Sequence, residues 1–288
     1  MDITRKNTII GIVLYNPNLE RLADNIKNCL QQTEKILLID NGSRNINRIK
    51  DIYGANKKIC IIYNKKNMGI AYALNQILYY AIENSFEYFL TLDQDSIMEK
   101  DYLEIMSSNL GNFSNWGIGC PRVIDTNLLE KDFNKEVSSG PEMIEDPWSV
   151  ITSGCIVRTS IAEKIDGFNN KLFIDYVDVD FNERLILANY KIIKISNAIL
   201  YHELGKSEYH KFLGFKVLVD NHNSLRRYYI TRNRLYFSKK YFGKKGYYKE
   251  RVKVLFSEFK ILLFEDNKMT KLSSIKKGIK DVNKIYKG

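Results

Sequence analysis

Four apolar segments rich in β-branched residues alternate with stretches of helical spacing in the first hundred residues, and this alternation constrains the fold most. The predicted strands are Thr8 to Leu14, Lys35 to Ile39, Ile59 to Tyr63 and Tyr88 to Leu92. Apolar residues at helical spacing occupy about residues 18–31 and 69–84. Strands that alternate with helices predict an α/β fold, with a mostly parallel sheet flanked by helices.

Composition limits the class of protein. The chain has 288 residues, 44% of them apolar, which is sufficient for a large core. Its four cysteines are scattered without a Cys-x-x-Cys pair, which argues against structural zinc and favours the cytosol. The first residues lead into a strand rather than a signal peptide. Because no apolar run approaches the roughly 20 residues of a membrane span, we expect a soluble or peripheral protein.

Each predicted strand ends in polar residues, at the sheet edge where ligands bind in such folds. These segments are Tyr15-Asn16-Pro17, Asp40-Asn41-Gly42-Ser43, Asn64 to Asn67, and Asp93-Gln94-Asp95. Asp93 and Asp95 start on the same face of their strand, where they can share a divalent cation or divide it with a nucleotide diphosphate. The alternative is a solvated turn after a strand.

Two further segments are suited to a nucleotide. Asp40 can accept a hydrogen bond from a pyrimidine base or a ribose, or the segment can be a turn in which Ser43 or Asn45 caps a helix. Asn67 to Asn75 places Gly69 and other small residues at a helix start, where backbone N–H groups favour an anion.

The second half of the chain supplies candidate acids and a histidine. Asp175, Asp178 and Asp180 cluster before a helix predicted to run to about Asn189, either as a general base with a raised pKa or as helix caps. His202 follows a strand predicted at Ile192 to Ile195, as a metal ligand or as a packed residue. Val150 to Val157 predicts another strand, and Arg122 to Trp148 a variable loop.

The order of these motifs resembles family 2 inverting glycosyltransferases over residues 8 to about 235. The resemblance rests on the segments above together with Asp166-Gly167-Phe168, Asp175 to Phe181 and His202-x-Leu204-Gly205. Leu92-Asp93-Gln94-Asp95-Ser96, Phe173 to Asp180 and Arg226-Arg227-Tyr228-Tyr229-x-x-Arg232-Asn233 look most like bacterial rhamnosyltransferases of surface polysaccharide assembly.

The resemblance implies a GT-A fold over residues 1–220, with a nucleotide-sugar half at about 1–120 and an acceptor half at about 121–220. It assigns nucleotide-sugar binding to Tyr15, Asn16, Asp40, Asn67, Gly69, Asp93, Gln94 and Asp95. It assigns Mg²⁺ or Mn²⁺ to Asp95, Asp93 and His202, and the acceptor side to Ser153, Gly154, Arg227 and Arg232. Val177 stands where the family commonly has Glu, so Asp178 aligns with the catalytic base, with Asp175 as a substitute and Asp180 as a third candidate.

The implied reaction moves L-rhamnose from dTDP-rhamnose to a lipid-linked or oligosaccharide acceptor, in capsule, O-antigen or cell-wall synthesis. A UDP-hexose or UDP-galactofuranose donor remains an alternative.

A basic helical region is predicted over residues 221–288, since residues 226–288 carry 19 Lys and Arg against 5 Asp and Glu. Tyrosines and phenylalanines interleave with the basic residues between Arg226 and Lys253. We interpret this segment as contacting the anionic inner face of the cell membrane, which makes the protein cytoplasmic and peripheral. The alternatives are a solvated helical face, a homodimer contact, and a non-catalytic nucleic-acid-binding or assembly protein; nucleic acid is disfavoured because it leaves the acidic motifs unused.

Overall fold

The computed structural model of the protein describes residues 2–126, 140–203, 208–212 and 215–287. The chain divides into two compact units. The first comprises Met1–Asn170 and Asp178–Leu204, and the second comprises Lys171–Val177 and Gly205–Gly288. The division into 1–220 and 221–288 stays a prediction.

A mixed nine-stranded sheet forms the centre of the first unit. Its strands are β1 Thr8–Leu14, β2 Ile36–Asp40, β3 Ile59–Tyr63, β4 Tyr88–Asp93, β5 Ile97–Met98, β6 Trp116–Asp125, β7 Glu142–Ile144, β8 Ile156–Arg158 and β9 Lys191–His202. They are ordered β3-β2-β1-β4-β8-β6-β9-β5, with β7 paired to β9. The four strands β3-β2-β1-β4 run parallel, as predicted for the first hundred residues.

Helices cover this sheet. They are α1 Leu19–Gln32, α2 Ile46–Tyr53, α3 Ile70–Glu83, α4 Tyr102–Leu110, α5 Thr159–Lys164 and α6 Val177–Leu187, with a 3₁₀ turn at Pro147–Ser149. Asn18 caps α1 by accepting hydrogen bonds from the N–H groups of Glu20 and Arg21, and Leu22 and Ile26 bury its apolar face. The helices and strands predicted in the first hundred residues are confirmed to within a residue.

Three predictions in the second half were wrong in extent. Arg122 to Asp125, taken as loop, belongs to β6, whose Pro121 lies at a register shift against β9. Strand β9 continues beyond Ile195 to His202, past a bulge in its pairing with β6. The polar residues Ser196 and Asn197 at this point indicate a strand end when the sequence is read locally. Only Ile156–Arg158 of the segment predicted at Val150 to Val157 is a strand. The Leu204 and Gly205 motif positions and residues 127–139 lie outside the described residues.

The second unit contains a β-hairpin and helices. Strands β10 Glu208–Phe212 and β11 Phe215–Val219 pair antiparallel, and α7 Ser224–Phe264 and α8 Lys268–Lys287 follow. Gly243 interrupts α7 with a φ of 63°, a conformation that glycine adopts without a Cβ penalty. Beyond Gly243 the helix folds back toward its first part, as the 3.3 Å contact between Glu250 and Arg234 shows. Across the described residues, no helix is both long and apolar enough to cross a membrane.

Candidate active site

Hydrogen bonds tie the polar segments after three of the parallel strands together at the carboxyl edge of the sheet. The Gln94 side chain accepts from the N–H of Tyr15 at 2.9 Å, which joins the ends of β4 and β1. The Ser43 hydroxyl accepts from the N–H of Asn16 at 2.8 Å, which joins the ends of β2 and β1. The polar segments that the sequence placed after separate strands therefore lie at one edge. Tyr15 itself is 50% exposed there.

His202 lies between the two carboxylates of the Asp93-Gln94-Asp95 segment. Its Nε2 is 3.7 Å from Oδ2 of Asp93, and its Nδ1 is 3.9 Å from Oδ1 of Asp95. The buried Ser96 hydroxyl is 2.9 Å from the same Nδ1 and 3.0 Å from the Ser153 hydroxyl. Desolvation raises the pKa of Asp93; the neighbouring His202 opposes this rise and the charge of Asp95 adds to it. Two acids and a histidine thus converge from β4 and β9.

Asp40 is almost fully buried at the end of β2, and only one of its two carboxylate oxygens accepts hydrogen bonds from the described residues. Its Oδ2 accepts from the N–H groups of Gly42 and Ser43 at 3.2 and 3.1 Å. Within the described part of the chain, no donor reaches its Oδ1. A buried carboxylate oxygen normally has a hydrogen-bond partner, and a water molecule or a ligand would be needed to supply one here. The segment is also a turn, which Asp40 itself organises, but the predicted helix cap was wrong. Asn45 precedes α2 without a side-chain capping hydrogen bond, and the Ser43 hydroxyl accepts from Asn16 instead.

An asparagine network fixes the neighbouring loop before α3. The Asn41 side chain accepts from the N–H of Met68 at 3.0 Å and donates to Asn67 Oδ1 at 3.1 Å. Asn67 Oδ1 also accepts from the N–H of Gly69, which immediately precedes α3. Asn67 therefore shapes the loop with its own side chain, while Gly69 presents the start of α3.

Ser153 and Gly154 form a tight turn against β4. Ser153 Oγ accepts from the N–H of Asp93 at 3.0 Å, and Gly154 N–H donates to the carbonyl of Thr91 at 2.7 Å. Gly154 has a φ of 80°, and a Cβ there would lie 2.8 Å from Pro121 and 2.9 Å from Leu200. Both residues, assigned to the acceptor side from the sequence, support the strand end that carries Asp93.

Asp178 and Asp180 occupy the first turn of α6 but differ in their surroundings. Asp178 is partly buried. Burial raises the pKa of the Cys155 thiol, and the charge of Asp178 adds a smaller contribution, which places Asp178 near the Ser153 turn. Its Oδ1 accepts from the N–H of Val179 at 2.9 Å. Asp180 is fully buried and pairs with Arg184 at 2.9 Å. Asp180 is therefore held within α6, and Asp178 is the less buried of the two acids.

Asp175 belongs to the second unit, where α7 holds it firmly. Arg226 contacts its carboxylate with Nε at 3.2 Å and Nη2 at 3.0 Å. Asp175 and Tyr176 both have positive φ, at 63° and 68°. The buried Asn233 amide donates to the carbonyls of Ile174 and Asp175 at 2.8 and 2.9 Å. The Asp175 carboxylate is thus engaged in an ion pair within its own unit.

The two arginines assigned to the acceptor side also make contacts within the second unit. Arg227 is buried and pairs with Glu265, which also contacts Lys271 at 2.9 Å. Arg232 donates to the carbonyl of Lys171 at 2.8 Å and lies over the ring of Tyr229. We interpret both as organising residues of the helical unit.

Sequence reasoning missed several residues that shape the site. Ser96 and Asn41 were within quoted motifs but had no assigned role, and their position beside polar strand ends was the available signal. Asn25, on α1, donates to the carbonyl of Asp93 at 2.9 Å. Arg21 pairs with Glu203 and faces the charge of Asp95. These two come from a helix with no motif, so no local pattern could reveal them.

Comparison with known proteins supports the resemblance. Residues 9–131 match the sequence profile described as Glycosyl transferase family 2. The chain is 28% identical over 237 residues to the dTDP-rhamnosyl transferase RfbF of Shigella flexneri, covering 79% of this chain and 78% of that protein.

Solved structures share the fold. The S. aureus TarS 1-349 complex with UDP-GlcNAc has a TM-score of 0.59 and 13% identity, covering 96% of this chain and 82% of that chain. GalNAc-T7 with UDP, GalNAc and Mn²⁺ has a TM-score of 0.55 and 11% identity, covering 72% of this chain. The chain spans only 44% of GalNAc-T7. The predicted GT-A fold is confirmed by these likenesses.

Proposed function

We propose that this chain, which belongs to glycosyltransferase family 2 through residues 9–131, transfers L-rhamnose from dTDP-rhamnose to an acceptor hydroxyl with inversion. The sugar is proposed from the likeness to the Shigella flexneri dTDP-rhamnosyl transferase. A UDP-hexose or UDP-galactofuranose donor is the alternative that the same fold accommodates.

The observation that carries the proposal is the buried Asp40 with its unpartnered Oδ1, at the same sheet edge as Asp93 and Asp95. Thymine and uracil each carry one ring N–H donor, at N3, that can pair with a carboxylate oxygen. Tyr15, exposed at this edge, offers a ring for stacking on the base. The start of α3 at Gly69 offers backbone N–H groups to the diphosphate.

The carboxylates fit a divalent cation of the Mg²⁺ or Mn²⁺ type, since such hard ions prefer oxygen ligands. Among the described residues no group of three metal-binding side chains is complete. That is compatible with a site that takes one or two carboxylates and completes its coordination with substrate phosphates and water. We propose Asp95 as the principal ligand, with Asp93 and His202 beside it. A bound cation would offset the charge of the departing diphosphate.

We propose Asp178 as the general base. Its carboxylate takes the proton from the acceptor hydroxyl as that oxygen attacks the anomeric carbon on the face opposite to the diphosphate. One displacement then gives inversion without a covalent intermediate.

The acceptor we propose is a lipid-linked or oligosaccharide intermediate of capsule, O-antigen or cell-wall polysaccharide. A lipid-linked acceptor places the reaction at the inner face of the cell membrane, which fits a basic C-terminal region. A homodimer remains an alternative role for that region.

Calorimetric titration with dTDP-rhamnose, UDP-galactose and UDP-glucose, with and without Mn²⁺, tests the donor. We expect metal-dependent binding of dTDP-rhamnose and weaker binding of the two UDP-sugars. Preference for a UDP-sugar would replace the donor, and binding of none would contradict the proposed activity.

Substitution of the base tests the mechanism. We expect Asp178→Asn to abolish rhamnosyl transfer, followed as release of dTDP, while the calorimetric affinity for dTDP-rhamnose is retained. Asp175→Asn is the matched comparison. Near-normal turnover of Asp178→Asn, with loss of turnover in Asp175→Asn, would transfer the role to Asp175.

A further inference from the structure

The second half of α7 has large apolar residues on the side opposite to its packed face. Val254 and Ile261 are buried, at 2% and 0% exposure, on the packed face of this part of the helix. Seven exposed residues lie on the other side and form what we call the apolar stripe: Tyr248, Val252, Leu255, Phe256, Phe259, Leu262 and Leu263. Their spacing of three and four residues places them along one line of the helix.

The apolar stripe is continuous over about 22 Å of helix, at about 1.5 Å per residue. Tyr248 and Phe256 are each 66% exposed, and Leu255 is 54% exposed. Single exposed apolar residues are ordinary, but a row of seven on one face marks an interaction surface.

Positive charge borders this surface. Between residues 244 and 264 the helix carries six Lys and Arg against two Glu. At about 100° per residue, Lys249, Lys253 and Lys260 follow one edge of the apolar stripe. One of the two acids, Glu250, is engaged by Arg234 and Lys253 inside the unit. The edge of the stripe is therefore suited to an anionic partner.

We propose that the apolar stripe enters the interfacial layer of an anionic lipid bilayer, with the bordering lysines at the headgroups. Phenylalanine, leucine and tyrosine partition into this layer, and lysine beside them is attracted by anionic lipid. The apolar stripe is the surface through which the chain would contact the membrane named in the proposed function, and this inference rests on that function.

The charges disfavour an antiparallel pairing of this helix with a second copy of the chain. In an antiparallel two-fold pairing of this helix, each edge of the apolar stripe meets the same edge of the other copy. Lys249, Lys253 and Lys260 would then face their own counterparts, and like charges at such flanking positions oppose pairing. An anionic surface meets the same lysines with attraction.

The contact surface differs from the segment indicated by the sequence. Between Arg226 and Lys253 the aromatic residues were expected to face the bilayer, but Tyr236 is 7% exposed and Phe237 is fully buried. The stripe begins at Tyr248 and continues beyond Lys253. The proposed contact surface therefore lies further along α7 than the segment that the charge pattern indicated.

Cosedimentation of the purified full-length chain with vesicles tests the proposal. One set of vesicles contains equal parts phosphatidylcholine and phosphatidylglycerol, and the other contains phosphatidylcholine alone. We expect binding to the anionic vesicles, and loss of at least about tenfold in affinity for the double variant Leu255→Glu, Phe256→Glu. The matched control is Ile52→Glu, at an equally exposed position on α2, which should bind like the wild type.

A second variant reports on the contact directly. Phe256→Trp should show a blue-shifted emission on addition of anionic vesicles, whereas Ile52→Trp should not. Absence of wild-type binding, or unchanged binding of the double variant with no shift at position 256, would overturn the proposal. The proposal would also be overturned if the wild type sediments as a dimer and the double variant as a monomer, since the apolar stripe would then contact a second copy of the chain. Donor affinity measured without vesicles separates these outcomes from a failure of the proposed function.

Discussion

Replacement of Asp40 by Asn tests the nucleotide contact most sharply, because the two oxygens of this side chain have separate tasks. Oδ2 accepts two backbone N–H groups of the turn, and Oδ1 has no protein donor among the described residues. In Asp40→Asn, the amide oxygen can replace Oδ2 and keep the turn. The amide NH₂ group then occupies the position of Oδ1. It faces the ring N3–H of the base, and two hydrogen-bond donors cannot pair.

The expected loss is one hydrogen bond to a charged acceptor, worth about 1.5–3 kcal/mol. That corresponds to a dissociation constant for dTDP raised roughly 10- to 150-fold. The free energy of unfolding should change by no more than about 0.5 kcal/mol, since the turn keeps its hydrogen bonds.

Isothermal titration with dTDP and urea unfolding of the same preparations measure the two quantities. Asp51→Asn, on the exposed side of α2, removes the same charge away from the site and should alter neither quantity. An Asp40→Asn variant that binds dTDP as tightly as the wild type would refute the base contact. A variant that unfolds much more easily would show that Asp40 serves the turn alone.

Three further predictions concern the turn, the helical unit and the cation. Gly154→Ala should lower the free energy of unfolding in a urea titration by about 2 kcal/mol or more, because Gly154 has a positive φ and a Cβ there would be crowded. Gly140→Ala, where no atom lies within 4 Å of the added Cβ, is the control and should change it little. Glu265→Gln should lower the free energy of unfolding, by heat or urea, by about 3–5 kcal/mol, because Arg227 and Lys271 lose their buried anionic partner. Asp266→Asn, at an exposed position, is the control. Equal stability of the two variants would contradict the pairing. Chelation of divalent cations should abolish dTDP release, and added Mn²⁺ should restore it. The Asp95→Asn variant should need a higher Mn²⁺ concentration for the same rate. Full activity in the presence of chelator would show that the reaction needs no cation.

The parallel half of the sheet was predictable because its elements are defined by local pattern. Residues of β1 and β4 form continuous apolar runs, and α1 and α3 carry clear helical spacing between them. The convergence of Asp40 and Asp93 also followed, since parallel strands bring their carboxyl ends to one edge.

The antiparallel half was less predictable because long-range pairing decides it. Strand β6 contains two glycines and Pro121, which indicate a turn when read locally, yet β8 and β9 pair with it on both sides. The roles of Asp175 and Asp180 were undetermined for a similar reason. Their partners, Arg226 and Arg184, decide which acid is held by a cation, and that pairing exists only in the folded chain.

The grouping of Lys171–Val177 with the C-terminal helices has a consequence for how such a chain can change in evolution. This short stretch keeps Asp175 and Tyr176 in left-handed backbone conformations, and Asn233 and Arg226 supply the bonds that hold them. A stop codon or gene fusion that removed the helices would leave this stretch strained and without partners, directly before Asp178. We therefore expect the C-terminal helices and the stretch before Asp178 to change together rather than independently.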